Sequence, residues 1–317
     1  DFEVGKRHGL DPIIVLNADG TLNEQTGDFA GEDRFAVRKK IADMLADRGL
    51  LARTENHRYS KATCSRCDTV IEPYLSRQWF VNMKPLAEPA REVVKKKQVK
   101  FFPPRWTKTY GHWMTNIRDW CISRQLWWGH RIPVWYCGAA ACGALTASVD
   151  TPAACGTCGQ GNLTQDEDVL DTWFSSWLWP MSTLGWPEET SDLKRFYPTT
   201  FLVTGPDIIF FWVARMIMAG LEFKGEPPFA HVLFHGIVRD PQGRKMSKSL
   251  GNSPDPIAVM DEYGADAVRF TVVYLAPLGQ DILFDAKRCE TGKFFANKLW
   301  NAARLVKMRL GDTDPRT

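Results

Sequence analysis

Gly243-Arg244-Lys245-Met246-Ser247-Lys248-Ser249-Leu250-Gly251-Asn252 concentrates the most recognisable chemistry of the chain in one stretch. Two lysines three positions apart bring two ammonium charges together. The serines beside them offer hydroxyl donors, and a glycine on each side frees the backbone. Ammonium groups offset phosphate charge, and small neighbours let main-chain atoms approach it. Such a loop can close over a polyphosphate and withdraw again. A solvated basic turn is the plain alternative, because Lys-x-x-Lys is a common pattern. Position favours the first reading: the loop directly follows a predicted strand of a βαβ unit, and ligands gather beyond the carboxyl ends of such strands.

Cys137-x4-Cys142-x12-Cys155-x2-Cys158 is the second chemical signal. Two close pairs of thiolates can surround one tetrahedral zinc, and Gly143 and Gly159 permit the tight turns that aim backbone amides at sulfur. Four reduced thiols are the alternative. Cys64-x2-Cys67 reads as half of a second zinc site. It borrows Cys121 and Cys289, or its partner pair lies outside this chain, or the two are simply free thiols. Eight cysteines without a secretory signal argue for metal or free thiols in a reducing compartment, which makes the cytoplasm the expected location. The most apolar run, Ile208 to Leu221, is too short to span a bilayer and carries Arg215, so no membrane partner is expected.

These groups need elements to hold them. Thr200-Phe201-Leu202-Val203-Thr204 reads as a buried strand, Gly205-Pro206-Asp207 as the opening of an apolar helix through Gly220, and His231 to Val238 as a second buried strand. Strand, helix, strand at this spacing is a βαβ unit, half of a doubly wound sheet, so the fold class is α/β from about residue 166. Upstream, a helix carrying Phe35, Val37, Ile41 and Leu45 stops at Gly49, and residues 64–165 read as compact modules without one long helix. Phe294 to Leu310 reads as an amphipathic helix with Phe295, Leu299, Ala303, Val306 and Leu310 inward.

The 317 residues suit two domains or three small ones, and a formal charge of +3 is too mild to announce a nucleic-acid binder. Lys95-Lys96-Lys97 reads as a solvated face. Most of the tryptophans Trp120, Trp127, Trp128, Trp173, Trp177 and Trp179 read as packing, with one or two free to wall a small apolar ligand. His231 and His235 read as structural unless a nucleotide lies beside them. The chain opens on Asp1-Phe2-Glu3 without an initiator methionine and reads as a piece of a longer polypeptide.

Lys245-Met246-Ser247-Lys248-Ser249 resembles the signature loop of class I aminoacyl-tRNA synthetases. Trp120-Cys121-Ile122-Ser123-Arg124-Gln125-Leu126-Trp127-Trp128-Gly129 is similar to a stretch shared by the isoleucine, leucine and valine enzymes. The segments Asp168 to Ser176, Thr204 to Trp212 and Phe295 to Arg304 are closest to the valyl-tRNA synthetase family. The resemblance implies the C-terminal part of a β-rich editing insertion over 1–63 and a connective region with a zinc-ribbon-like module over 64–165. The second half of the class I nucleotide-binding fold would follow over 166–252, then a stem over 253–290 and the start of an anticodon-binding helical bundle over 291–317.

The same resemblance implies roles. Lys245 and Lys248 would stabilise the pyrophosphate leaving group as a carboxylate attacks the α-phosphate of ATP, with Mg2+ accompanying the nucleotide. Gly205 and Asp207 would lie beside the ribose, His235 and Gly236 near the adenosine, with Met246 and Ser247 in the loop. Trp173 would wall the valine pocket, and Asp1 would hold the α-ammonium group of an editing substrate. An apolar pocket cannot strongly reject threonine, which nearly matches valine in shape, so editing would accompany activation. The implied partners are tRNA(Val), ATP and L-valine, with Zn2+ as resident metal and a monomeric parent. An isoleucyl-tRNA synthetase and a non-catalytic zinc-containing RNA-binding module remain the alternatives. The family's His-x-Gly-His segment is not in this sequence, so the isolated chain is expected not to form an adenylate.

Overall fold

The computed structural model describes residues 2–64, 67–247, 250–277 and 279–311. Asp1 and Lys248, both singled out above, lie outside the described residues. The chain divides into two compact units, Asp1–Gln78 and Trp79–Thr317.

The first unit holds helices Phe2–His8 and Arg34–Asp47 with a short 3-10 segment Glu24–Phe29 between them. The Asp33 carboxylate caps the second helix, accepting from the amides of Phe35 at 2.9 Å and Ala36 at 3.2 Å. Gly49, in the left-handed region at φ 66°, closes it as expected. Val37 is its buried residue, while Phe35 and Ile41, with the same spacing, stay exposed. In place of the β-rich part expected here, the described residues form only isolated bridges, Leu16 with Leu22, Thr21 with Asp33 and Thr63 with Val70. Short extended pieces need two or more neighbours to make a stable sheet, and this unit offers none long enough.

The second unit is organised by a three-stranded parallel sheet in the order Lys100–Phe102, Phe229–Phe234, Thr199–Thr204. His231 lies opposite Lys100 on one side and Phe201 on the other. Parallel neighbours require a crossover. Here it is Pro206–Ile208 in 3-10 form, Ile209–Ala214 in π form and the α-helix Arg215–Lys224, ended by left-handed Gly225. Every residue from Arg215 to Gly220 is buried. That explains an apolar run with no polar stripe: this helix shares one core with Val232 and Phe234 of the sheet and with Ala90 and Val94 of helix Lys84–Lys95.

Strand Lys100–Phe102 comes from a region where the sequence showed no strand of this sheet. It is three residues long, between Lys95-Lys96-Lys97, which is solvated as expected, and Pro103-Pro104, too short for any alternation to show. A separate antiparallel sheet has Val134–Cys137 between Leu145–Ala147 and Leu163–Gln165.

Helices Pro256–Tyr263 and Ala265–Tyr274 pack with Cys289–Leu310 around Val259, Val268, Phe284 and Cys289. A Cβ on Gly292 would overlap the Ala267 carbonyl, so glycine permits that crossing. Phe295 stacks on Phe270 at 4.7 Å between centroids. The inward face expected further along is not covered: Leu299 and Val306 are each 56% exposed. Only the first turn of their helix, at Cys289 and Gly292, is buried.

Candidate active site

The carboxyl ends of strands Thr199–Thr204 and Phe229–Phe234 point the same way, because the strands are parallel and in register to Thr204 opposite Phe234. The residues that follow them therefore meet. His235 N donates to Thr204 O at 3.1 Å, carrying the pairing one step beyond the strand. Gly205 is buried, and a Cβ there would stand 2.7 Å from Asp207 Oδ1 and 3.1 Å from Ile237 Cδ1. A Cβ on Gly236 would overlap the Gln280 carbonyl outright. Gly236 is thus required by close approach to backbone, whereas the neighbours of Gly205 are side-chain ends that can shift. The two glycines leave a small-walled notch at the strand ends with exposed His235 and Asp207 beside it. His235 Nδ1 lies 2.9 Å from Gly236 O. His231 is different: it sits inside the strand with its ring against Phe201 at 4.8 Å and Phe102 at 5.7 Å, its buried Nδ1 without a partner.

The lysine loop leaves this end of the sheet through Val238–Arg239, which pairs in parallel with Ile282–Leu283. Asp281 ties the two, accepting from Ile237 N at 3.0 Å and from the Arg239 guanidinium. Asp240, 2% exposed, then organises the loop. Its carboxylate accepts from Gln242 N at 3.1 Å, Arg244 N at 2.8 Å, Arg244 Nε at 2.7 Å and Asn252 Nδ2 at 3.0 Å. The Asn252 amide, with the Arg244 backbone and guanidinium, holds this carboxyl down to about 2 against the opposing cost of burial. Asn252 also donates to Lys245 O at 3.2 Å and accepts from Ser247 N at 2.9 Å. The two ends of the loop are stitched side chain to backbone before any ligand arrives. Met246 packs among Val259, Phe284 and Cys289, anchoring the loop to the helices behind it. Lys245 extends the other way, its Nζ 3.2 Å from Asp207 Oδ2.

Trp173 stands on the short helix Thr172–Ser176, stacked on Phe211 at 6.1 Å with 28° between planes. Phe211 and Trp212 belong to the π-helical stretch after Gly205, so the partner of Trp173 and the strand-end notch lie on one crossover. Trp212 Nε1 donates to Ser176 O at 2.9 Å. Trp120 and Trp177 are core residues, whereas Trp127, Trp128 and Trp179 are exposed.

The four cysteines of the second motif converge. Their sulfurs all lie within 4.8 Å of one another, with Cys137 to Cys158 at 3.5 Å and Cys142 to Cys155 at 3.9 Å. Zinc–thiolate bonds of about 2.3 Å in a tetrahedron require sulfurs about 3.8 Å apart, so the set fits the metal. Gly143 and Gly159 take the left-handed conformation the turns need, at φ 57° and 74°. The backbone N–H groups of Cys158 and Thr157 hold Cys155 down to about 6, while burial and the neighbouring thiols raise Cys137 and Cys142. Among the described residues this is the only group of three or more such ligands. Near the Cys64/Cys67 pair, Cys64 N donates to Thr69 O and Asp68 N to Cys64 O, both at 2.9 Å. The Cys67 thiol is lowered, first by the Thr69 hydroxyl 3.2 Å away.

The model of the family "tRNA synthetases class I (I, L, M and V)" matches residues 38–285. The chain belongs to this family. Its similarity to curated members is strong: it is 58% identical over 312 residues to a valine–tRNA ligase of Thermotoga maritima and 56% identical over 315 residues to one of Symbiobacterium thermophilum. These alignments take in 98% and 99% of this chain but 36% and 34% of those proteins, so the chain spans about a third of the length of the relatives it matches. Among solved structures, Mycobacterium tuberculosis methionyl-tRNA synthetase in complex with methionyl-adenylate is alike in fold, with a TM-score of 0.54 at 20% identity over 73% of this chain and 40% of that one. A LeuRS from Agrobacterium radiobacter K84, solved as a ternary complex with tRNA and LeuAMS, aligns at TM-score 0.51 and 24% identity over 58% of this chain and 28% of that one. No helix among the described residues of this class I synthetase chain is long and apolar enough to cross a membrane.

For this synthetase segment, the sequence reading missed Asp240 and Asn252 as organisers of the loop. Their signal was present in the sequence: an acid three residues before Gly243 and an amide just after Gly251, types that bond locally to backbone. It also missed Asp281 and the strand Ile282–Leu283, which nothing in a two-residue apolar pair announces.

Proposed function

We propose that this chain supplies the phosphate-handling half of a valine–tRNA ligase, which activates L-valine with ATP to valyl-adenylate and transfers it to tRNA(Val). The observation that carries the reading is Lys245 Nζ at 3.2 Å from Asp207 Oδ2, at the carboxyl end of a parallel sheet. It brings a cation suited to a polyphosphate together with a carboxylate suited to ribose hydroxyls.

In this reading Gly205 and Asp207 receive the ribose, and His235 and Gly236 flank the adenosine. Met246 anchors the loop, and Ser247 presents its hydroxyl near the phosphates. Lys245 and Lys248 offset the charge that builds on the pyrophosphate as the valine carboxylate attacks the α-phosphate in line, with Mg2+ bound to the nucleotide. Trp173 walls the side-chain pocket, and Asp1 serves the editing of mischarged threonine. Zn2+ is held by Cys137, Cys142, Cys155 and Cys158, and Cys64 with Cys67 supplies half of a second site. Valine rather than isoleucine is the substrate, in line with the curated relatives' names.

The test is amino-acid-dependent ATP–pyrophosphate exchange by the full-length protein that carries this segment. Exchange with valine well above isoleucine, lost in Lys245→Ala, is expected. Exchange with isoleucine at equal efficiency would remove the valine assignment. The 317-residue chain alone is expected to give none.

A further inference from the structure

Beyond the groups that would touch substrate, one buried carboxylate has no part in the chemistry above yet ties the start of the Trp173 helix to Trp120 and Arg124. Asp171 is 8% exposed. Its Oδ1 accepts from Trp173 N at 3.1 Å and so caps the helix Thr172–Ser176. Its Oδ2 accepts from Trp120 Nε1 at 3.0 Å and from Arg124 Nη2 at 2.6 Å. Its own amide donates to Ile122 O at 2.7 Å, continuing the antiparallel pair of Ser123 with Leu170.

Behind Trp120 lies Arg215, 5% exposed, its guanidinium carbon 3.4 Å from the centre of the indole ring. Arg215 Nε and Nη1 are buried without a hydrogen-bond acceptor. Burial lowers its pKa to about 10, and the Asp171 charge is the influence that opposes this. One carboxylate therefore faces Arg124 directly and Arg215 through the Trp120 ring. At the far end of the helix, Trp212 holds Ser176 O. A five-residue helix has too few internal hydrogen bonds to fix its own direction. The angle of Trp173 is thus set by Asp171 at one end and Trp212 at the other.

We propose that Asp171 is the positioning residue of the amino-acid pocket: it fixes the angle of Trp173 against Phe211 and thereby the pocket's fit to a small branched side chain. This rests on the valine-activating reading. Asn at 171 keeps one oxygen for the Trp173 amide but turns an NH2 toward two donors, Trp120 Nε1–H and Arg124. The helix stays capped while its lateral tie is lost.

The decisive measurement is valine- and ATP-dependence of pyrophosphate exchange in the full-length protein, wild type against Asp171→Asn. Loss of hydrogen bonds to a charged acceptor should raise KM for valine about tenfold, leaving kcat and KM for ATP within about twofold. Trp120→Phe, which removes only the indole donor, should shift KM for valine in the same direction by less, and serves if Asp171→Asn does not fold. An unchanged KM for valine in folded variants overturns the proposal. So does an equal loss in kcat and in KM for both substrates, which marks a general structural role. Wild-type protein that exchanges with no amino acid instead sinks the valine-activating reading. In that case the proposal is judged on the chain itself: Asp171→Asn should keep the Trp173 amide slow to exchange with solvent while the Trp120 indole N–H loses its protection. Retained indole protection overturns the tie.

Discussion

Lys245 and Asp207 meet across the mouth of the parallel sheet, Nζ to Oδ2 3.2 Å apart, the two side chains 66% and 47% exposed. So open a pair adds under about 1 kcal/mol to stability. Its consequence is positional: under the proposed function, a nucleotide would claim both the ammonium and the carboxylate. Lys245→Ala in the full-length protein should lower kcat for pyrophosphate exchange by about 10²–10³-fold, while the melting temperature of this chain moves little. A comparable loss of stability and rate would show that the lysine is architectural instead.

Asp240 carries the loop's pH dependence. Its folded pKa, about 2, is below the ordinary aspartate value of 3.8, so its contribution is fully present above the unfolded value and is lost as pH falls through the folded one. Between about pH 4 and pH 2 the amides of Arg244 and Ser247 should lose protection from hydrogen exchange before the Phe229–Phe234 strand does. Asn252→Ala should produce the same local opening at neutral pH. Simultaneous loss at strand and loop would refute the local role.

Metal content tests the four-cysteine cluster. Chain purified without chelator should contain about one zinc. A strong chelator should unfold the sheet around Val134–Cys137 while the Arg215–Lys224 helix keeps its protection. Cys155→Ser should abolish binding at this cluster, and Cys67→Ser should leave it intact. Stoichiometric zinc in the Cys155 variant would place the metal elsewhere.

Gly236→Ala should cost more than the usual effect of a glycine replacement, because its Cβ would overlap the Gln280 backbone, which no rotamer change can move. Destabilisation of about 1–3 kcal/mol is expected by chemical denaturation. Gly243→Ala, with open space around its Cβ but a φ of 79°, should cost only the strain of that conformation.

What could be read in the sequence were features whose signal is local. Gly205-Pro206-Asp207 after an apolar run marked the strand end, Gly243 and Gly251 framed the lysine loop, and the cysteine spacing described the cluster that forms. What could not be read depends on partners far along the chain. Lys100–Phe102 is a strand only because Phe229–Phe234 accepts it. Asp171 acquires its meaning from Trp120 and Arg124, about fifty residues upstream. The apolar stripe from Phe294 to Leu310 was visible as a pattern, but a pattern does not say which of its turns find a partner.

Strand Lys100–Phe102 also bears on how this unit assembles. Its pairing with His231, Val232 and Leu233 joins positions about 130 residues apart, a closure whose entropy must be met before the contact repays it. The cysteine-bearing sheet from Val134 to Gln165 lies within that span, and its strands pair over much shorter separations. Once formed, it shortens the flexible path between the two strands. The metal module would then act on folding speed: chain refolded with zinc should form the parallel sheet sooner than chain refolded with chelator, even where both reach the same sheet.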